Sequence, residues 1–202
     1  MNAVFSYTPE FLCSELSMTA FEALIEDLDW ERRETAPRSE YWVNTFNQSY
    51  TYGRGKGVRT YFPRTTHPAI EAVTDLLENQ LAFRYEGCFL NRYDNEREGL
   101  GWHADDDPSI NHERPIAVVT LGQAREIQLK QQASNEQLPL RVMLEPGSLF
   151  LMNAGVQQTH FHRIPKAPTK IGTRISLTYR SLIQRDGHRQ REATAPKDEG
   201  RL

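Results

Sequence analysis

The hydrophobic pattern of this chain changes character near Phe83. Over residues 17–30, Phe21, Leu24, Ile25 and Leu28 recur at i, i+3, i+4 and i+7, which is the apolar stripe of an amphipathic helix with small capping residues at its start. A second helical period covers residues 69–81 through Ile70, Val73, Leu76 and Leu77. Pro68 stands at its start, where a missing N–H is harmless. Between the two, residues 31–57 lose any period in a polar, aromatic, glycine-containing stretch, read as loop with short extended pieces.

Past Phe83 the runs shorten and alternate. Residues 88–93, 115–121, 126–130, 140–144, 148–152 and 173–182 read as strands, punctuated by Gly99, Gly101, Pro108, Gly122, Pro146, Gly147, Gly155 and Gly172. Short strands at regular spacing after two helices predict a mainly β protein with flanking helices, its sandwich or jelly roll covered on one side by the helices. Residues 1–183 are expected to form one domain. Residues 184–202, charged and without apolar period, are expected to be disordered.

The 202 residues suffice for one well-buried core and are few for two. A formal charge of -3 gives no global nucleic-acid signal. The local basic stretch Arg54, Lys56, Arg59 and Arg64 reads as a solvated loop. Cys13 and Cys88 are too few for a disulfide framework, which fits reduced thiols in the cytoplasm. Residues 1–10 lack the regions of a signal peptide, and no apolar run approaches the roughly eighteen residues of a membrane span. A monomer with no membrane partner is the expectation.

The chemistry lies in His103, Asp105, a histidine at 160 or 162, and the pair Arg174 and Arg180. Residues i and i+2 of a strand share a face, so His103 and Asp105 can meet one metal with Ala104 turned away. A surface ion pair is the plain alternative for that pair alone. His160 and His162 lie on one strand face, and either could complete a two-histidine, one-carboxylate set suited to non-haem Fe(II). Zinc would accept the same donors, but leaves the arginines unexplained. Arg174, Ser176, Thr178 and Arg180 share one face of the last strand; Ile175, Leu177 and Tyr179 occupy the core face. An inward arginine requires an anion. A dicarboxylate co-substrate would serve Arg174, whereas Asp105 is a plausible protein partner for Arg180.

Asn91-Arg92-Tyr93, Trp102 to Asp107, Pro115 to Gly122, Pro146 to Leu149, His162 to Lys166 and Arg174 to Arg180 resemble, in order, the AlkB-type nucleic-acid demethylases. The resemblance extends from about Pro37 to Leu182. It implies a double-stranded β-helix core with N-terminal helices and a nucleotide-recognition lid at approximately 31–66. It also implies Fe(II) on His103, Asp105 and His162, because His162 directly precedes R-I-P-K. Asn91, Tyr93, Arg174, Ser176, Thr178 and Arg180 would contact 2-oxoglutarate, Ser176 standing where the family commonly has asparagine.

In the family's lid an aromatic-x-aromatic element lies over the extruded base. Tyr50 and Tyr52 match it, with Tyr52 and His103 as the candidates to sandwich the base. Asp106 and Asp107 match its substrate-side carboxylates, with a solvated turn before Pro108 as the alternative. The implied reaction is oxidative demethylation of 1-methyladenine or 3-methylcytosine with Fe(II), 2-oxoglutarate and dioxygen, releasing formaldehyde, succinate and carbon dioxide. A dioxygenase of the same fold acting on a protein or small molecule is the second reading; a non-catalytic jelly-roll binding module is the third. Residues 31–38 offer no large apolar wedge for opening a duplex. Tyr41 and Trp42 read as packing within the lid. Arg32, Arg33 and Arg38 are expected on phosphates, which favours single-stranded nucleic acid.

Overall fold

Two helices lie in the first part of the chain because two apolar stripes need a sheet to cover. In a computed structural model, which describes residues 3–34, 36–53, 58–133 and 138–184, α1 spans Ser14–Asp27 and α2 Pro68–Leu81. The side chain of Tyr52 lies outside that description, as do Arg54 and Lys56 and all but the first residue of the expected tail. α2 begins at the predicted proline, and the His67 ring accepts from the Ala69 N–H as its cap. α1 ends three residues before the predicted Trp30. Leu28 is extended, and the Trp30 indole folds back to donate to the Leu24 carbonyl at 3.0 Å.

The strands are β1 (Phe5–Thr8), β2 (Glu31–Arg32), β3 (Ser39–Asn44), β4 (Tyr50–Tyr52), β5 (Arg59–Tyr61), β6 (Gly87–Tyr93), β7 (Leu100–His103), β8 (Ile116–Gly122), β9 (Arg125–Gln131), β10 (Leu140–Leu144), β11 (Leu149–Met152), β12 (His160–Ile164) and β13 (Arg174–Arg180). Seven of them form an antiparallel sheet in the order β1-β11-β8-β13-β6-β3-β2; β10-β9-β12-β7 form a second, and β4-β5 a hairpin. A one-turn helix, α3 (Val156–Thr159), leads into β12. The two larger sheets make the predicted jelly roll.

Strand alternation sorts the core into two layers. Leu90, Val119, Ile175, Leu177 and Tyr179 face the helices, beside Leu24, Val73 and Leu77. Phe89, Val118, Ile127, Leu129 and Phe150 fill the space between the sheets. There the inner face of β13 is polar, yet all seven of its residues are buried. β3 corrects the expected loop. Tyr41 and Val43 join the helix-side layer while Trp42 packs between the sheets on Tyr50 and Phe89, so Tyr41 and Trp42 belong to different layers.

Candidate metal and co-substrate site

The site begins with a register. β7 and β12 are antiparallel neighbours, and His103 stands directly opposite His162 with ring centroids 4.1 Å apart. β7 ends at His103, and the chain turns so that Asp105, 2% exposed, joins them; candidate donor atoms of the three lie within 4.8 Å of one another. The backbone N–H of Asp105 donates to the Gln157 side chain at 3.0 Å, which fixes the turn from α3. His160 stands outside this cluster, its Nδ1 at 2.8 Å from the Thr159 hydroxyl.

The donor set fits a divalent metal. Nδ1 of His103 donates to the Gly101 carbonyl at 2.9 Å, because a carbonyl can only accept, and Nε2 faces Oδ1 of Asp105 at 4.0 Å. Burial, then the neighbouring His103, lowers the His162 pKa to about 3, and burial also lowers that of His103. Burial would raise Asp105, but Arg180 and the two imidazoles outweigh it and hold the carboxyl at about 2. Neutral imidazoles and an ionised carboxylate are the protonation states a metal requires. Oδ2 of Asp105 accepts from Arg180 Nη2 at 2.8 Å, while Oδ1 is buried without a hydrogen-bond partner in the protein. That orphaned oxygen, facing two imidazoles, is a place for a cation.

The arginines of β13 diverge. Arg180 is charge-paired with Asp105, the partner left open for it by sequence, although its Nε and Nη1 make no hydrogen bond. Arg174 is fully buried, and its Nη2 donates to Thr120 Oγ1 at 3.0 Å. Its Nε and Nη1 have no partner in the protein. The ring of Tyr93 lies 5.5 Å from the guanidinium, and burial lowers the Arg174 pKa to about 10. Arg125 approaches the same ring at 5.5 Å, donating to the carbonyls of Asn95, Glu98 and Pro165. Ser176 and Thr178 are buried on the strand between the two arginines, and Ser176 is the register partner of both Asn91 and Thr120.

An outer cavity of about 590 Å³ opens above His103, lined by Tyr50, Thr51, Trp102, Asp106, Asp107 and Phe161 among others. Asp107 also accepts from the backbone and hydroxyl of Ser109, so the turn reading and the cavity reading both describe it. Tyr50 is 3% exposed and reaches inward, with the Arg180 guanidinium 5.5 Å from its ring. A smaller inner cavity joins Tyr50, Phe89, Asn91, His103, Asp105 and Arg180 with Arg38.

Burial excludes the expected phosphate role for Arg38, whereas Arg32 and Arg33 remain partly exposed while paired within the chain. Arg32 pairs with Glu98 at 2.7 Å, Arg33 with Glu31 at 2.5 Å, and Arg38 is buried on Glu40 and Asn91. Arg64 of the basic stretch binds Asp29 at 2.9 Å. Glu40, Thr120, Arg125 and Gln157 surround the candidate site without having been singled out by sequence, and Arg38 was singled out for a different role. Each also makes a contact with a residue distant in the chain, a signal that spacing does not carry.

Residues 5–180 match the family model described as the 2OG-Fe(II) oxygenase superfamily. Alpha-ketoglutarate-dependent dioxygenase alkB homolog 3 of Bos taurus is 26% identical over 190 residues, covering 86% of this chain and 64% of that protein. DNA oxidative demethylase ALKBH2 of Homo sapiens is 24% identical over 155 residues, covering 74% and 58%. The chain thus spans about three-fifths of the length of these curated relatives. The solved structure titled "The structure of OsALKBH1" superposes with a TM-score of 0.62 at 16% identity, over 90% of this chain and 99% of that one, a likeness of fold.

Proposed function

This chain belongs to the 2OG-Fe(II) oxygenase superfamily, and on that premise we propose that it removes N-methyl groups from the bases of DNA or RNA, 1-methyladenine and 3-methylcytosine foremost. It would use Fe(II), 2-oxoglutarate and dioxygen, and release formaldehyde, succinate and carbon dioxide. The observation that carries the reading is the outer cavity, where aromatic walls and two carboxylates stand over a candidate metal ligand. Its volume of about 590 Å³ suits a single flipped nucleobase. Trp102 and Phe161 supply apolar surface. Asp106 and Asp107 favour a base carrying the positive charge of methylation.

In this reading His103, Asp105 and His162 hold the iron, and Arg180 orients Asp105. Arg174 takes the far carboxylate of 2-oxoglutarate on Nε and Nη1, with Thr120 steadying Nη2. Asn91, Tyr93, Ser176 and Thr178 line the co-substrate's path. When bound, the iron centre supplies the oxidising power of dioxygen, with 2-oxoglutarate as the reductant, to hydroxylate the N-methyl carbon. The hydroxymethylated base then loses formaldehyde. The chain's own part is to bind, orient and exclude water. The hairpin carrying Tyr50 and Tyr52 forms the roof.

A monomer acting in the cytoplasm on single strands completes the proposal. No described helix is long and apolar enough to cross a membrane. Residues 31–38 still offer no apolar wedge, but Phe62, after β5, is 75% exposed. Formaldehyde and succinate release should therefore be measured with methylated and unmodified oligonucleotides, single-stranded and paired, with Phe62→Ala in parallel. Succinate formation indifferent to every methylated oligonucleotide would sink the substrate class and favour a protein or small-molecule substrate. Duplex repair faster than single-strand repair, and abolished by Phe62→Ala, would sink the strand preference. His162→Ala should lose iron binding and turnover, whereas His160→Ala should retain both; the reverse outcome would refute the ligand assignment.

A further inference from the structure

Arg38 stands just before β3 and is 3% exposed, an unusual place for an arginine without a structural or chemical task. β3 and β6 pair so that Glu40 lies opposite Asn91, and Arg38, two residues before Glu40, points to the same side. The guanidinium makes two contacts at once: Nε donates to the Asn91 Oδ1 at 2.5 Å, and Nη2 lies 2.6 Å from Glu40 Oε1. Oε2 of Glu40 accepts from the Tyr61 hydroxyl at 2.6 Å. Tyr61 ends β5 and pairs with Tyr50 in the hairpin that roofs the outer cavity. Glu40 is fully buried, so it compensates the charge of Arg38 where water cannot.

An asparagine amide has a donor end and an acceptor end of nearly identical shape. An arginine has donors only, so it can receive nothing but the amide oxygen. With that oxygen fixed on Arg38, the N–H2 is the end left for the inner cavity, which Asn91 lines beside His103 and Asp105. A co-substrate that presents carboxylate and keto oxygens to a metal there needs a donor from this side.

We infer that Arg38 is a positioning residue for 2-oxoglutarate, holding the Asn91 amide with its N–H2 toward the co-substrate and tying that orientation through Glu40 and Tyr61 to the hairpin roof. The inference rests on the co-substrate reading of the site and is independent of the nucleic-acid substrate. Because Glu40 neutralises it, Arg38 works by geometry more than by attracting a dianion. Lysine cannot replace it, since one ammonium does not reproduce the two-pronged contact.

The test is calorimetric titration of 2-oxoglutarate into the full chain loaded with Mn(II). Absence of binding by the wild type would sink the co-substrate reading itself. Given wild-type binding, Arg38→Lys keeps a charge beside Glu40 and removes the Nε–H. Its Kd should rise about tenfold, the loss expected for a charge-assisted hydrogen bond. Mn(II) affinity should stay within about twofold of wild type, and Arg38→Lys combined with Asn91→Ala should bind within about twofold of Asn91→Ala alone. Losses that multiply in the double variant would show that Arg38 acts without Asn91 and overturn the inference. Wild-type affinity in Arg38→Lys, or a parallel loss of Mn(II), would do the same. Should Arg38→Lys not fold, Arg38→Met with Glu40→Gln removes both buried charges together and enters the same cycle, with the same outcomes deciding.

Discussion

The two ends of β13 carry the same side chain to opposite fates. Arg180 meets a carboxylate of its own chain at 2.8 Å, and Asp105 outweighs burial to raise its pKa above the ordinary value. Six residues earlier on the same face, Arg174 meets a hydroxyl and an aromatic ring, and burial lowers its pKa to about 10. Both guanidinia leave Nε and Nη1 without a hydrogen bond, but only Arg180 has a carboxylate of the chain to balance its charge, and the proposed ligand would supply one to Arg174. The contrast teaches how to separate an internal ion pair from a binding site when both are buried arginines: the count of unpartnered N–H groups matters less than whether a carboxylate already stands within reach.

The contrast can be broken most directly at Arg180. Arg180→Met strands the buried Asp105 carboxylate and should cost about 3–5 kcal/mol of stability in the metal-free protein, read by denaturant unfolding. A loss below that of Arg174→Met would contradict the pairing. The sign of its pH dependence also follows. Asp105 has a depressed folded pKa of about 2 against the ordinary 3.8. The pair's stabilisation is therefore fully present above pH 3.8 and lost as pH falls through about 2. The stability gap between wild type and Arg180→Met should close across that window; a constant gap would argue that the cost has another origin.

Arg174→Met should behave in the opposite way. Removing a buried cation that has no protein anion should leave metal-free stability within about 1 kcal/mol of wild type, or raise it. The same change should weaken 2-oxoglutarate binding by about a hundredfold or more, since a desolvated charge pair loses one partner. Arg174→Lys should recover little of that. Unchanged co-substrate affinity in Arg174→Met would remove the arginine from the site.

A milder probe uses the ligand itself. At a hundredfold excess over Kd, 2-oxoglutarate should add about 2.7 kcal/mol of stability to the Mn(II)-loaded wild type. Arg174→Met should show almost none of this thermal shift at the same concentration, and an equal shift in both proteins would refute the assignment. The smallest effect is expected at Thr120→Val, which removes the hydroxyl at 3.0 Å from Arg174 Nη2. A cost of about 1 kcal/mol in co-substrate binding is anticipated, and no change would mean that Thr120 does not steady the fork.

What could be read in the sequence follows the range of the interactions involved. The period over residues 69–81 gave α2 within one residue, and the strand at 140–144 coincides with β10, because both elements present one clear apolar pattern. β3 escaped because it is covered on both faces: Ser-Glu-Tyr-Trp-Val-Asn shows no alternation when Tyr41, Trp42 and Glu40 are all inside. The H-x-D and R-x5-R spacings were legible since one strand period explains each. Arg38, bonded to a residue 53 positions away, and Gln157, bonded across 52, carried no such signal. For the same reason the Glu98 partner of Arg32, 66 positions away, is not legible in the sequence, whereas Glu31, the partner of Arg33, lies only two residues from it.

The place of β13 in the seven-stranded sheet has a consequence for biosynthesis. Among the described residues it is the last strand in chain order, yet it lies between β8 and β6, paired along its whole length with β6 and over most of it with β8. During translation the earlier strands leave the ribosome with two long edges waiting for a segment not yet made. Open edges of this kind are templates for pairing with other chains. The strand that carries both arginines is thus also the bolt of the sheet, and a nascent chain stalled ahead of it should be held by chaperones until the final strand arrives.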